Sequence, residues 1–253
     1  MLKKRVIPLL LLRDGRVVKG INFQDYRDVG NPRTAVKIYS AQDADELVFI
    51  DTQGSKASRD YLVEILREAA NECFIPLTAG GGIQSLTDAR QLLMAGADKV
   101  IITSGAIEVP SLISQIAGHF GSQSVIACIE YRGFGNSAKV TYQNGSKSID
   151  LDLIDYAIQL EQEGAGEIML NSIEKDGLMS GYDINLAKQI VGSVSVPVIV
   201  SGGAGNFMHI FDLFRESDAA GAVCASLFHF GDNTPIRARS YLKNLNIQCR
   251  TLK

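Results

Sequence analysis

Tryptophan is absent from the 253-residue chain, histidine occurs three times and cysteine four times. Each scarcity excludes something. Cys73, Cys128, Cys224 and Cys249 include no CxxC pair, and His119, His209 and His229 stand at no zinc-ligand spacing from them, so no metal site is expected. Cys73, Cys128 and Cys224 sit in apolar runs where buried, reduced thiols belong, which suits a reducing cytoplasm. The longest apolar run, Val6 to Leu12, is seven residues, against about twenty needed to cross a bilayer. MLKKRVIPLLLLRDG is basic and then apolar like the start of a signal peptide, but Asp14 follows at once and no small-residue cleavage site comes after it. A net charge of −3 calls for neither nucleic acid nor an anionic membrane. No glycine-rich dinucleotide turn follows the first apolar run, and no cofactor is expected.

What is present is alternation. RVIPLLLL from Arg5, ELVFID from Glu46, CFIPLTA from Cys73, KVIIT from Lys99, SVIACIE from Ser124, EIMLNS from Glu167, PVIVS from Pro197 and AGAVCAS at 220–226 are rich in Val, Ile and Leu without polar alternation. Strands of a parallel sheet buried on both faces have this character. Helix-period segments separate them: Thr34 to Asp43, SRDYLVEILREAANE from Ser58, SLTDARQLLMAGA from Ser85, Pro110 to Phe120, LDLIDYAIQLEQEGA from Leu151, Asp183 to Val191, Asn206 to Arg215 and Thr234 to Leu245. The fold class expected is α/β, a (β/α)8 TIM barrel occupying residues 1–253 as one domain.

An internal repeat supports closure of the barrel. ADELVFID from Ala44 matches AGEIMLNS from Ala165, and IPLTAGGGI from Ile75 matches VPVIVSGGAG from Val196. Glu46 and Glu167 lie 121 positions apart, as do Pro76 and Pro197; Gly81 and Gly203 lie 122 apart, as do Ser104 and Ser226. One inserted residue explains the shift, and two half-barrels joined head to tail explain the pattern. Each half carries glycines that follow a strand and open a helix, Gly80 to Gly82 and Gly202 with Gly203, and each carries a serine after the next strand. Such loops expose backbone amides at a helix N-terminus and cradle phosphate. Two cups facing each other across the barrel mouth suit a ligand with a phosphate at each end. After Glu130 a long connection carries Asn144-Gly145 between β-prone flanks, a hairpin on the C-terminal face able to act as a lid.

DGRVVKGINF, ADELVFID, IPLTAGGGI, AGADKV, GAGEI, DGLMSGYD, SGGAGN and SLFHFG together make the chain resemble the cyclase subunit family of imidazole glycerol phosphate synthase, HisF, over essentially its full length. The resemblance implies a barrel that docks a glutaminase (HisH-like) on its N-terminal face and conducts ammonia along its axis. On the C-terminal face the family converts a bisphosphorylated ribulosyl aminoimidazole carboxamide into imidazole glycerol phosphate, a step of histidine biosynthesis. It implies catalytic positions at Glu130 and Asp176, and substrate or phosphate positions at Lys19, Asp51, Gly81, Gly82, Thr103, Ser104, Asn171, Ser201, Gly202, Gly203 and Ser226. It also implies an ammonia gate of alternating charge, Arg5, Glu46, Lys99 and Glu167, each at a strand start.

The match is uneven. The family's first strand ends in a catalytic aspartate, and Leu11 stands there; its fifth ends in another, and Glu130 stands there. A family asparagine is replaced by Thr103 and a threonine by Asn171. Leucine cannot transfer a proton, and a displacement of ~1 Å in a reacting group can cost ~10²-fold. An intact gate, largely intact cups and a broken acid/base pair point to a paralogue that still receives ammonia but hands it to another phosphorylated or sugar acceptor. The resemblance implies such a role beside a separate sugar amidotransferase, as for family relatives in surface-polysaccharide clusters. A genuine cyclase and a non-catalytic sugar-phosphate scaffold are the alternatives. His209 and His229, flanked by apolar residues, are read as core or capping groups.

Overall fold

Because the apolar runs have no polar face, they can be stable only with side chains buried on both sides, and a closed barrel wrapped in helices supplies this. The computed structural model describes residues 3–250. Its strands in chain order are β1 (Arg5–Arg13), β2 (Arg16–Ile21), β3 (Gln24–Gly30), β4 (Leu47–Asp51), β5 (Leu77–Gly80), β6 (Lys99–Ile102), β7 (Val125–Arg132), β8 (Lys139–Tyr142), β9 (Lys147–Ile149), β10 (Glu167–Ser172), β11 (Val198–Ser201) and β12 (Gly221–Cys224). The eight expected strands β1, β4, β5, β6, β7, β10, β11 and β12 pair in parallel with their neighbours, and β12 returns to β1, closing a (β/α)8 barrel.

Alternation along each strand divides the core in two. Val6, Leu10 and Leu12 point outward to the helices with Leu47, Phe49, Val100, Ala127, Ile168 and Val200. Ile7, Leu9, Leu11, Val48, Ile101, Ile126, Cys128, Met169, Ile199 and Val223 fill the barrel interior. The helices begin on side-chain caps that satisfy their first amides: Ser55 in a capping box, Ser85, Asp152 and Asn206.

The apolar run from Cys73 is shorter as a strand than its composition suggests. Cys73 caps the helix Lys56–Glu72, Phe74 is 92% exposed, and pairing starts only at Leu77, past Pro76, which has no amide to donate. Cys73, Cys128 and Cys224 are buried free thiols.

Two antiparallel hairpins stand on the C-terminal face. β8 and β9 form the one expected from Asn144-Gly145, with Gln143, Asn144 and Gly145 at positive φ in its tip. β2 and β3 form one that the apolar pattern did not reveal. Asp14-Gly15, at φ +50° and +73° between the paired Arg13 and Arg16, turns β1 into β2, so an Asp-Gly signal marked the start of this extension; the turn of the β2–β3 hairpin itself is Asn22-Phe23, at φ +50° and +64°. Its second strand, QDYRDVG, is largely exposed and has no hydrophobic signature.

Candidate active site

Four charges close the N-terminal end of the barrel. Arg5 donates to Glu46 Oε2 at 2.7 Å and pairs with Glu167; Lys99 donates to Glu167 Oε2 at 2.9 Å and to Glu46 Oε2 at 3.2 Å. Thr78 Oγ1 donates to Glu46 Oε1 at 2.6 Å. The ring alternates in sign, and each carboxylate touches both cations. The Glu46 and Glu167 side chains are 2% and 6% exposed, so they survive in the interior only because they are paired. Above the ring, toward the C-terminal end, the interior is apolar.

At the C-terminal mouth lies a cavity of about 290 Å³. One wall, from β1 and β4, is hydrocarbon, Leu9, Leu11 and Ile50, and Ile101, Cys128 and Met169 lie at the base. Leu11 is 7% exposed and pairs in register with Ile50. The opposite wall carries Glu130, Asn171 and Asp176. Burial, and then the nearby Asp176 carboxylate, pushes the Glu130 carboxyl up to about 7. Burial also pushes Asp176 up, while Lys19 pulls it down. Lys19 reaches in from β2 and donates to Asp176 Oδ2 at 2.7 Å, to Asp176 Oδ1 at 2.9 Å and to the Gly20 carbonyl at 2.8 Å. Its three protons are therefore spent. Asp51 accepts from the Gln53 amide at 2.9 Å, the Gly54 amide at 3.2 Å and Ser58 Oγ at 2.6 Å, so it orders the loop after β4.

The repeated glycines occupy matched positions. Gly81 and Gly82 have φ of +108° and +64°; a Cβ on Gly81 would lie 2.1 Å from the Asp51 carbonyl oxygen, and one on Gly82 would lie 2.5 Å from Gly54 Cα. Gly203, at +110°, would meet the Gly181 carbonyl at 2.1 Å. Both clusters are thus required for loop packing, whatever they bind.

The two cups lie on opposite sides of the barrel mouth, after β5 and β6 and after β11 and β12. Gly81, Gly82, Thr103 and Ser104 line the large cavity with Glu130. Ser201, Gly202, Gly203 and Ser226 line a separate one of about 10 Å³ with Lys19 and Asp176, which is room for roughly one water. Leu9 and Asp176 line both. Ser226 Oγ has no partner.

Several cavity residues escaped sequence reasoning. Phe23 and Tyr26 come from the β2–β3 hairpin, whose Asn22 amide donates to the Asp176 carbonyl at 3.0 Å. Gln143 and Asn144 come from the β8–β9 tip; the Gln143 amide donates to Ser104 Oγ at 2.8 Å, tying that hairpin to the first cup. His229 bridges the Leu9 carbonyl at 3.0 Å and the Tyr39 hydroxyl at 3.2 Å, and burial pushes it down to about 4, so it is neutral and structural. His209 accepts from the Gly205 amide at 3.2 Å at the start of its helix.

Comparison with known proteins adds a second line. The model of the histidine biosynthesis protein family matches residues 5–234. A protein of Hydrogenobaculum sp. (strain Y04AAS1), named imidazole glycerol phosphate synthase subunit HisF, is 44% identical over 251 residues, covering 99% of this chain and 100% of the relative. Proteins of the same name from Alkaliphilus metalliredigens (strain QYMF) and Caulobacter vibrioides (strain NA1000 / CB15N) are each 42% identical, covering 99% of this chain and 100% and 97% of the relatives.

Proposed function

This chain belongs to the histidine biosynthesis protein family as a HisF-like barrel, and from that membership we propose that it is the ammonia-receiving subunit of a glutamine amidotransferase complex. A glutaminase docks at the end closed by Arg5, Glu46, Lys99 and Glu167; ammonia passes that ring, rises through the apolar interior and is used at the C-terminal mouth. The acceptor there carries phosphate against Gly81, Gly82, Thr103 and Ser104, and Glu130 is the group that moves protons. Lys19 and Asp176 fix the floor of the second cup, with Ser201, Gly202, Gly203 and Ser226 as its wall.

The observation that carries this reading is the contrast between the two ends of the barrel. Two buried carboxylates and two half-buried cations are kept in mutual contact at one end, an arrangement that hydrocarbon often replaces at no loss of stability where folding is the only requirement. At the other end an aspartate position holds Leu11, which has no proton to give. Retention below and replacement above favour nitrogen delivery to an acceptor other than the family's, such as a sugar modified by a separate amidotransferase.

A genuine cyclase is the second reading. It is favoured by the identity to HisF subunits along the whole chain, and the resemblance implies that Lys19, Asp51, Asp176 and Ser201 keep the family's residues. One pair of experiments separates the two. Purified protein is mixed with the glutaminase encoded beside it, and glutamine hydrolysis is followed with and without the barrel. It is then supplied with ammonium and the ribulosyl substrate, and imidazole product is assayed. The proposal expects complex formation, stimulated glutamine hydrolysis and a cyclase rate at least ~10²-fold below the ordinary range of ~1–10³ s⁻¹. Cyclase turnover within that range makes the chain a cyclase; no complex and no stimulation removes the conduit.

A further inference from the structure

Between β1 and β4 the barrel wall lacks its backbone ladder at the level of the charged ring. Register between the two strands starts at Leu9 and Val48, three positions past Val6 and Asp45. On β1 the Arg5 amide turns the other way and donates to the Ala220 carbonyl at 3.1 Å. Residue 8, which shares the orientation of Val6, is proline and has no amide to give. The Val6 amide is met by a side chain instead and donates to Asp45 Oδ2 at 2.8 Å. A carboxylate therefore closes the seam that peptide groups close higher up.

Asp45 is itself held from outside the barrel. Arg239, on the helix Pro235–Asn244, donates to Asp45 Oδ1 at 3.0 Å, and Arg250 Nε lies 3.2 Å from the same oxygen. The same two arginines donate to Asp43, at 3.0 Å and 2.6 Å. The Arg239 and Asp45 side chains are 1% and 2% exposed, and Arg239 Nε has no partner among the described residues. A buried ion pair with an unpaired N–H is a poor source of stability. What it supplies is orientation: with Oδ1 fixed by the arginines, Oδ2 stays aimed at β1.

We propose that Asp45 is the positioning residue of the charged ring. Arg5 precedes Val6 and Glu46 follows Asp45, and these two inward neighbours meet at 2.7 Å. The outward contact of Asp45 with Val6 sets the separation of β1 and β4 below their ladder, and so holds Arg5 against Glu46. The Lys4 amide donates to the Gln248 carbonyl at 2.8 Å, so the segment after the last helix is tied into the same clasp. This deepens the proposed function, and its bearing on nitrogen passage rests on the reading of the ring as the point of entry.

The test uses the full chain with arginine labelled by ¹⁵N. Arg5 gives one Nη group to Glu46 and the other to Glu167, which hinders rotation of the guanidinium and keeps the two nitrogens as separate resonances, identified by their loss in Arg5→Lys. The proposal expects two resonances in the unaltered protein, one merged resonance in Asp45→Ala, and two again in Asp45→Asn, which keeps an oxygen for Val6 without the charge. A purely structural role would lower the urea midpoints of both variants and leave the Arg5 resonances alone. Exchange of the Val6 amide with solvent is expected to be slow in the unaltered protein and at least ~10-fold faster in Asp45→Ala, the effect of one lost hydrogen bond. Exchange at the rate of an unprotected amide in the unaltered protein overturns the proposal, whether or not any variant folds. Two Arg5 resonances in a folded Asp45→Ala, or one in a folded Asp45→Asn, also overturn it. Neither glutaminase nor ammonium is present, so these failures leave the conduit standing. If Asp45→Ala merges the resonances yet passes glutamine-derived nitrogen to the mouth as the unaltered chain does, Asp45 positions the ring and the ring is not the entry.

Discussion

Lys99 donates to Glu167 at 2.9 Å, and that contact closes the charged ring on the side away from Arg5. Lys99→Met leaves Arg5 as the one ring cation for both carboxylates, with Thr78 still donating to Glu46. The Lys99 side chain is 21% exposed and the carboxylates almost wholly buried, so the cost falls between that of a surface pair and that of a fully buried one. A loss of roughly 1–3 kcal/mol is expected, read as a lower urea midpoint with unchanged slope. In a complex with the glutaminase, the same variant is expected to release more glutamine-derived ammonia to the medium, while turnover with added ammonium is unaffected.

Leu11→Asp returns a carboxyl to a rung whose in-register neighbour on β4 is Ile50. With no cation beside it, the new group is expected to be held protonated well above the usual carboxylate range and to destabilise the fold by ~1–3 kcal/mol. If the chain keeps the rest of a cyclase site, turnover of the ribulosyl substrate with ammonium rises by ~10²-fold or more. Unchanged turnover in a folded variant means that the acceptor pocket, and not only its acid/base pair, has diverged. Product assay alongside urea denaturation separates the two.

The barrel and its charged ring were legible because both follow from local rules. Strands buried on both faces announce themselves as unbroken Val, Ile and Leu runs, and Arg5, Lys99 and Glu167 open such runs, with Glu46 just ahead of Leu47. The pairing of Lys19 with Asp176 across 157 positions was not legible, because no local rule brings β2 to the loop after β10. The β2–β3 hairpin was hidden by its second strand, Gln24–Gly30, whose exposed charged residues read as loop. Glu130 could be placed at a strand end, but its shift toward neutrality comes from burial and from Asp176 on another connection.

The Glu130 carboxyl makes stability depend on pH with a definite sign. In the unfolded chain it titrates near 4.5 and in the fold at about 7. Between those values the folded protein holds a proton that the unfolded chain has released, so stability declines as pH rises through this window and levels off above it. The size is on the order of 3 kcal/mol. Asp176 and Asp45 are also raised, so the decisive measurement is a difference. Unfolding free energies from pH 5 to 8 are expected to fall less steeply in Glu130→Gln than in the unaltered chain, with the two curves diverging through pH 5–7.

Glycines in the two cups and a glycine in a helix should respond to alanine in opposite directions. At Gly203 an alanine must hold φ near +110° with its Cβ 2.1 Å from the Gly181 carbonyl oxygen, and at Gly82 it must hold +64° with its Cβ 2.5 Å from Gly54 Cα. Backbone has to move in either case, and a loss of at least ~2 kcal/mol is expected with distortion of the adjoining cup. Gly118 lies in the helix Leu112–Phe120, where a Cβ would meet nothing within 4 Å. Alanine there restricts the unfolded chain and suits the helix, so Gly118→Ala should add ~0.4–1 kcal/mol. Urea midpoints of the three variants decide the matter. A neutral Gly82→Ala would mean that the loops after β4 and β5 yield easily, and the first cup would then be too pliable to position a phosphate against Glu130.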